Sequence, residues 1–306
     1  MYHEVARNKR KSVLVVALFF LFWVAAGYGI GLLAGSSHQS YDGVTGALIA
    51  GILAALAILY SLTLGRATIL GVSGAKPAAR EQYPVLYDVV ETLALGDGLP
   101  VPQVYVIDDP SPNAFATGLS PKKAAITATT GLLQMMNREE LEGVISHEMS
   151  HIRNLDVRLI LIVGTCVALA GLLASFAWRS LFFARWGNDR NNNGGVIVLI
   201  ALAAVLTVLA VVVGPIMQFS LSRSRESLAD ASGVELTRNP AGLLHALQKL
   251  AGNDKPFAKM THVTAAMCID NPLEHHKGWY HRLYDTHPPI EERIATLQRL
   301  LEVRET

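Results

Sequence analysis

Only two cysteines stand among 306 residues, Cys166 inside an apolar run and Cys268 far downstream, and neither belongs to a CxxC pair. That argues against a disulfide framework, is compatible with a reducing compartment, and offers no cysteine cluster to close a structural zinc site. Charge is scarce as well: 17% of the residues are Asp, Glu, Lys or Arg, and the formal net charge is +1. No block of like charge occurs, so neither a nucleic-acid partner nor a charged disordered tail is indicated. Nothing repeats at a fixed period, and the one low-complexity piece is NDRNNNGG, residues 188–195.

Apolar residues are what the chain has in excess, at 51%, with a positive mean hydropathy. Such a composition is too apolar for an ordinary soluble protein and points to a membrane protein with a water-facing part. Four runs without any charged residue occupy 13–34, 44–64, 159–178 and 196–217. At about 1.5 Å per helical residue each reaches roughly 30 Å, the depth of a hydrocarbon core. The first run follows Arg7, Lys9, Arg10 and Lys11 but is far longer than the core of a cleaved signal, so it reads as an anchor.

Between the second and third runs the pattern changes. PVLYDVVETLALG (84–96) has helical spacing, with Val85, Leu86, Val89, Val90 and Leu93 on one side. PQVYVIDD reads as a strand, SPNAFATGLSPKK as a loop from its Pro, Asn, Gly and Ser content, and AAITATTGLL as a second strand. Asn137 stands three residues before Glu140, a capping-box pattern that opens a helix with Leu141, Val144, Ile145, Met149 and Ile152 as its apolar side. Past the fourth run the chain is mostly helical, broken at Asn239 and Pro240, and HPPIEERIATLQRLLEV forms a last helix.

The helix opened by Asn137 carries HEMSH. His147 and His151 are four apart, so both imidazoles project from one face and can hold a single metal ion. Glu148 can take a proton from a water that such a metal acidifies. The compact HExxHxxGxxH arrangement is absent, because Asn154 and Val157 occupy the later positions. A carboxylate on another helix is then the choice for a third ligand. RESLAD offers Glu226, with Asp230 one turn later placed to accept the spare N–H of a ligating imidazole. Spacing alone leaves Glu226 open between a ligand and a surface carboxylate beside Arg223 and Arg225.

GVISHEMSHIRNLD, SPNAFATG, RESLAD and THPPIEERI together resemble the HtpX family of membrane-bound zinc metalloendopeptidases, relatives of the CAAX prenyl proteases. The likeness runs over almost the full chain. It implies one Zn2+ held by His147, His151 and Glu226, and it maps the family's following aspartate onto Asp230. The prenyl-processing relatives carry more spans, so four runs favour the HtpX branch. Asn113, Ala114, Phe115 and Ala116 are candidates to line the substrate cleft beside an edge strand. His287 is a candidate to stabilise the oxyanion, although it could equally cap the helix that Pro288 and Pro289 begin. His275 and His276 are adjacent, cannot share a helical face, and read as solvated.

The expected architecture is a mainly α membrane protein with a small α+β zincin-like catalytic domain: the HExxH helix, a second ligand helix, and a short β-sheet beside the cleft. Residues 1–70 would form a transmembrane hairpin, 71–158 the first part of a cytoplasmic catalytic domain, 159–217 a second hydrophobic hairpin, and 218–306 the rest of that domain. The expected activity is that of a zinc metalloendopeptidase of the gluzincin type, in the bacterial inner membrane. The resemblance implies misfolded or damaged membrane proteins as its substrates. The alternative is a zinc-binding membrane scaffold or transporter without proteolytic activity. Charge bias puts the N-terminus inside, and two crossings then return the chain to the cytoplasm at Arg66. Glu226 must meet the zinc held by His151, so two crossings or none separate them; the length and lack of charge of both runs favour two, against the charge bias of Arg179, Arg185 and Arg190 and with a non-spanning hairpin as the alternative.

Overall fold

The computed structural model describes residues 2–34, 41–184, 193–209, 223–253, 268–269 and 289–305. It divides into two compact units, one of residues 1–9, 66–161 and 219–306, the other of residues 10–65 and 162–218.

The second unit is helical. Helix α1 (Tyr2–Ala34) enters it from residue 10, and α2 (Tyr41–Thr63) lies within it. The α1–α2 contact is made by glycines: a Cβ on Gly27 would stand 2.5 Å from the Gly46 carbonyl oxygen, and one on Gly31 would stand 2.2 Å from that of Asp42. In lipid, where apolar contact between helices has no hydrophobic drive, such backbone proximity supplies the packing. Their other faces leave Leu18, Leu21, Leu48, Ile52 and Leu56 exposed, a surface that only hydrocarbon solvates well.

Among the described residues three helices are long and apolar enough to cross a membrane: Val5–Leu32, Asp42–Thr63 and Asp156–Arg179. The third lies in α7 (Asp156–Ala184), whose later turns expose Leu172 and Phe176. Of the fourth run, α8 (Asn193–Val208) is described, with Leu199–Val208 as a shorter apolar helix, and residues 210–217 lie outside the described residues. Trp178 of α7 donates from Nε1 to Thr207 Oγ1 of α8 at 3.0 Å.

The first unit holds the candidate chemistry. A short helix α3 (Gly65–Val72) leads to a four-stranded sheet of β1 (Lys76–Pro77), β2 (Gln103–Ile107), β3 (Ala114–Thr117) and β4 (Ala125–Thr129), ordered β1-β2-β4-β3. β2 and β4 run parallel with Gln103 opposite Ala125, while β1 and β3 pair antiparallel at the two edges. The segment read as a loop from its Pro, Asn, Gly and Ser content therefore contains a strand. Cross-strand pairing of Ala114–Thr117 with Ala128–Ala125 overrides the weak local preference of alanine. The second expected strand stops at Thr129, whose hydroxyl accepts from Leu132 N and caps α5 (Thr130–Met135).

Helices α4 (Pro84–Gly96), α6 (Arg138–Asn154), α9 (Arg223–Thr237), α10 (Pro240–Ala251) and α11 (Ile290–Glu305) complete this unit. On α4, Leu86, Val89, Val90 and Leu93 are buried, whereas Val85 is 48% exposed and falls outside the apolar stripe expected for it. α6 sits at the centre of the core. Its Leu141, Val144, Ile145, Met149 and Ile152 are all buried, and each contributes about 1.5–3 kcal/mol by leaving water.

Two glycines let neighbouring helices reach α6. A Cβ on Gly143 would lie 2.6 Å from Leu243 N of α10, and one on Gly233 of α9 would lie 3.1 Å from His147 N. That second approach brings α9 flush against the helix that carries the histidines.

Candidate metal centre

The start of α6 is fixed by a capping box: Asn137 accepts from Glu140 N at 3.0 Å, and the Glu140 side chain accepts from Asn137 N at 2.8 Å. Counting from that cap, His147 and His151 come one turn apart on the face turned toward α9. Their rings meet edge to face, with centroids 4.7 Å apart at 86°. The two Nε2 atoms are 3.1 Å apart, and Glu226 of α9 places Oε2 3.4 Å from His147 Nε2 and Oε1 3.5 Å from His151 Nε2. All three residues are buried.

Carboxylates hold the far side of each imidazole. His147 Nδ1 lies 2.8 Å from Asp230 Oδ1, and His151 Nδ1 lies 3.1 Å from Asp156 Oδ2. A metal ligand must be a neutral imidazole with one N–H, and in that state the two carboxylates favour the N–H at Nδ1 in both rings, with Arg293 Nη2 also 3.3 Å from His147 Nδ1. Both Nε2 atoms then carry lone pairs, turned toward each other and toward a carboxylate. That arrangement is relieved by a metal ion between the three groups or, without one, by a proton on an imidazole. Four-coordinate ligand atoms at about 2.0–2.2 Å from a metal are roughly 3.3–3.6 Å apart in a tetrahedron. The observed separations of 3.4 and 3.5 Å fall in that range, and the 3.1 Å between the imidazoles lies just below it. Among the described residues, His147, His151 and Glu226 form the group of side chains able to hold one.

The carboxylates are themselves gripped. Arg293 of α11 donates Nε to Asp230 Oδ2 at 2.9 Å and Nη2 to Oδ1 at 2.7 Å, and its Nη1 donates to the Ile269 carbonyl at 3.1 Å. Arg225 donates Nη1 to Asp156 Oδ1 at 3.1 Å, and Asn8 donates Nδ2 to the same oxygen at 2.7 Å.

Charge follows from this network. Burial works to raise the Asp230 pKa, but Arg293 and His147 outweigh it and hold the carboxyl well below the usual range. Burial and the Arg293 charge lower the basicity of His147, yet Asp230 and Glu226 reverse this and raise its pKa to about 9. In His151, too, burial is outweighed, by Glu226 first and Asp156 next, and the pKa is raised. The site is thus built for positive charge. Glu148 is buried one position after His147, and its negative charge helps to raise the pKa of the Arg293 guanidinium.

Other expected residues lie as follows. Asn113, Ala114, Phe115 and Ala116 run into β3, the sheet-edge strand that packs against α6, and all four are buried. Thr129 Oγ1 accepts from Asn113 N at 2.9 Å and donates to the Ser111 carbonyl at 2.6 Å, which fixes the approach to that strand. The outer edge of β3 carries a contact of its own: Phe115 bridges to Cys268, and Ile269 N donates to the Ala114 carbonyl at 3.0 Å. His287, His275 and His276 lie outside the described residues. Asp156, Arg225, Arg293 and Asn8 had no role assigned from sequence. Asp156 and Arg293 lie inside the motifs GVISHEMSHIRNLD and THPPIEERI, so the motifs held the signal without its meaning.

Residues 81–301 match peptidase family M48. Full-length relatives carry the name protease HtpX homolog. One from Listeria monocytogenes serotype 4a is 40% identical, over 98% of this chain and 100% of the relative. One from Ligilactobacillus salivarius is 42% identical and one from Streptococcus uberis 39%, each with the same coverage. A crystal structure of S. mikatae Ste24p aligns with 97% of this chain and 67% of that one, with a TM-score of 0.48 and 18% identity. The chain belongs to peptidase family M48, as a membrane metalloprotease of the HtpX kind.

Proposed function

We propose that the chain is a zinc-dependent endopeptidase of the gluzincin type, with His147, His151 and Glu226 as ligands and Glu148 as general base. The observation that carries this reading is the pair of Nε2 atoms 3.1 Å apart, faced by Glu226 and backed by Asp230 and Asp156. Zinc bound there supplies a Lewis acid that brings the pKa of a water toward about 7. Glu148 accepts the proton of the attacking water and returns it to the departing amine nitrogen. Asp230 and Asp156 keep both Nδ1 protons in place, so that the two rings present Nε2 without rotating. The segment Asn113–Ala116 borders the cleft, with its outer edge at Ala114 and Phe115 already paired to Ile269 and Cys268, and His287 stabilises the oxyanion.

The proposed setting is the bacterial inner membrane, with the site facing the cytoplasm. Residues 1–70 and 159–217 form the two hydrophobic hairpins, and 71–158 together with 218–306 form the catalytic domain. Closeness to the bilayer selects membrane proteins, misfolded or damaged, as substrates. Cleavage of casein by the purified chain with zinc, its loss on chelation and its return on zinc addition test this function. An intact chain that holds zinc and leaves casein whole would favour a scaffold instead.

A further inference from the structure

Asn8 stands in the run RNKRK, where Arg7, Lys9, Arg10 and Lys11 surround it. Orientation of a membrane helix by charge needs only the cations, and a neutral amide adds nothing to it. Yet Asn8 is 1% exposed, whereas Arg7, Lys9 and Arg10 are exposed. Its Nδ2 donates twice, to the Asn154 carbonyl at 2.9 Å and to Asp156 Oδ1 at 2.7 Å.

Both partners sit at the end of the histidine helix. Asn154 is the last residue of α6, where carbonyls lack partners within the helix. Leu155 then turns the chain through a left-handed conformation, φ 62°, and Asp156 opens α7. Asp156 divides its oxygens: Oδ2 meets His151 Nδ1, while Oδ1 takes Asn8 and Arg225. Only a primary amide offers two N–H groups from one neutral nitrogen to a carbonyl and a carboxylate at once. A carboxylate at position 8 would repel Asp156. Residues 1–9 belong to the unit that holds the site, and α1 continues from them into the other unit.

We propose that Asn8 is a positioning residue of the metal site, holding Asp156 at the end of α6 and, through it, the His151 imidazole. The first membrane helix thus begins inside the catalytic apparatus. This inference rests on His147, His151 and Glu226 being the ligands. Partners that orient a ligating imidazole typically change metal affinity or rate about 10–100-fold when lost.

The test uses the full-length chain in detergent, with Glu148→Gln throughout so that nothing is cut, and measures zinc affinity by competition with a chromophoric chelator. Asn8→Ala and the isosteric Asn8→Asp should each weaken zinc by up to about tenfold, the lower end of the effect of losing the imidazole's own partner, and shift the visible spectrum of the cobalt-substituted protein, while Lys9→Ala changes neither. In a Asp156→Ala background Asn8→Ala should have less than about a twofold effect, because the group it holds is gone. An equal loss in both backgrounds, or parent affinity and spectrum in both Asn8 variants, overturns the proposal; the isosteric variant decides if the alanine variant does not fold. Glu226→Ala in the same series separates the two readings. Zinc held at parent affinity there removes the ligand assignment itself, whereas zinc lost there and kept by the Asn8 variants removes only the role of Asn8.

Discussion

Arg293 grips Asp230 with two parallel hydrogen bonds, 2.9 Å from Nε and 2.7 Å from Nη2, and Asp230 in turn meets His147 Nδ1 at 2.8 Å. The C-terminal helix therefore controls the first histidine without touching the position of a metal. All three groups are buried, so none can exchange its partner for water.

Arg293→Ala should leave a buried carboxylate without its counter-charge, a change that typically costs about 3–5 kcal/mol. Arg293→Lys should rescue little, since an ammonium cannot make the paired fork geometry. Asp230→Asn keeps the shape and should weaken zinc binding or rate about 10–100-fold. Thermal melts with zinc titrations check all three. Parent stability and affinity in Arg293→Ala would mean that the grip has no consequence.

Glu148→Gln should lower casein cleavage by at least about a hundredfold, the contribution of a general base, while one zinc stays bound. Metal analysis beside the activity assay decides it. Loss of the zinc would make Glu148 a ligand, and retained activity would remove it from the chemistry.

Gly143→Ala should destabilise the protein. The new methyl would stand 2.6 Å from Leu243 N and 2.7 Å from Leu243 Cα, backbone atoms that cannot swing aside. Overpacking of that kind costs about 1–3 kcal/mol, more than the gain of up to about 1 kcal/mol from replacing a helical glycine. Gly71→Ala, with nothing within 4 Å of the new atom, should be neutral or slightly stabilising. Melting curves of the two variants make the comparison, and equal shifts would contradict the close contact of α6 with α10.

What the sequence revealed, and what it hid, follows from the range of each interaction. The Asn137–Glu140 box and the break at Asn239 were legible because cap and helix are neighbours in the chain. The i, i+4 spacing of His147 and His151 needs only a helix. Strand β3 was hidden because alanine and threonine between Pro, Gly and Ser look like a turn until β4 pairs with them. Asp156 follows His151 by five residues, but its role depends on the left-handed Leu155 folding it back. Arg293 is 63 residues from Asp230 and 146 from His147, and Asn8 is 146 and 148 residues from its two partners, separations at which no local pattern operates.

Topology has its own test. Asn192→Cys, in a chain lacking Cys166 and Cys268, should react with an impermeant thiol reagent from outside intact cells, as the proposed two crossings between His151 and Glu226 require. Reaction only after lysis would contradict the four-span arrangement and leave the metal site untouched.

The most direct measurement is zinc stoichiometry together with casein cleavage for the parent and Glu226→Ala, purified side by side. The expected result is one zinc and cleavage in the parent, with both lost together in the variant, since two imidazoles alone leave the metal underheld. A Glu226→Ala protein that keeps its zinc and cuts at the parent rate would contradict the centre built from His147, His151 and Glu226.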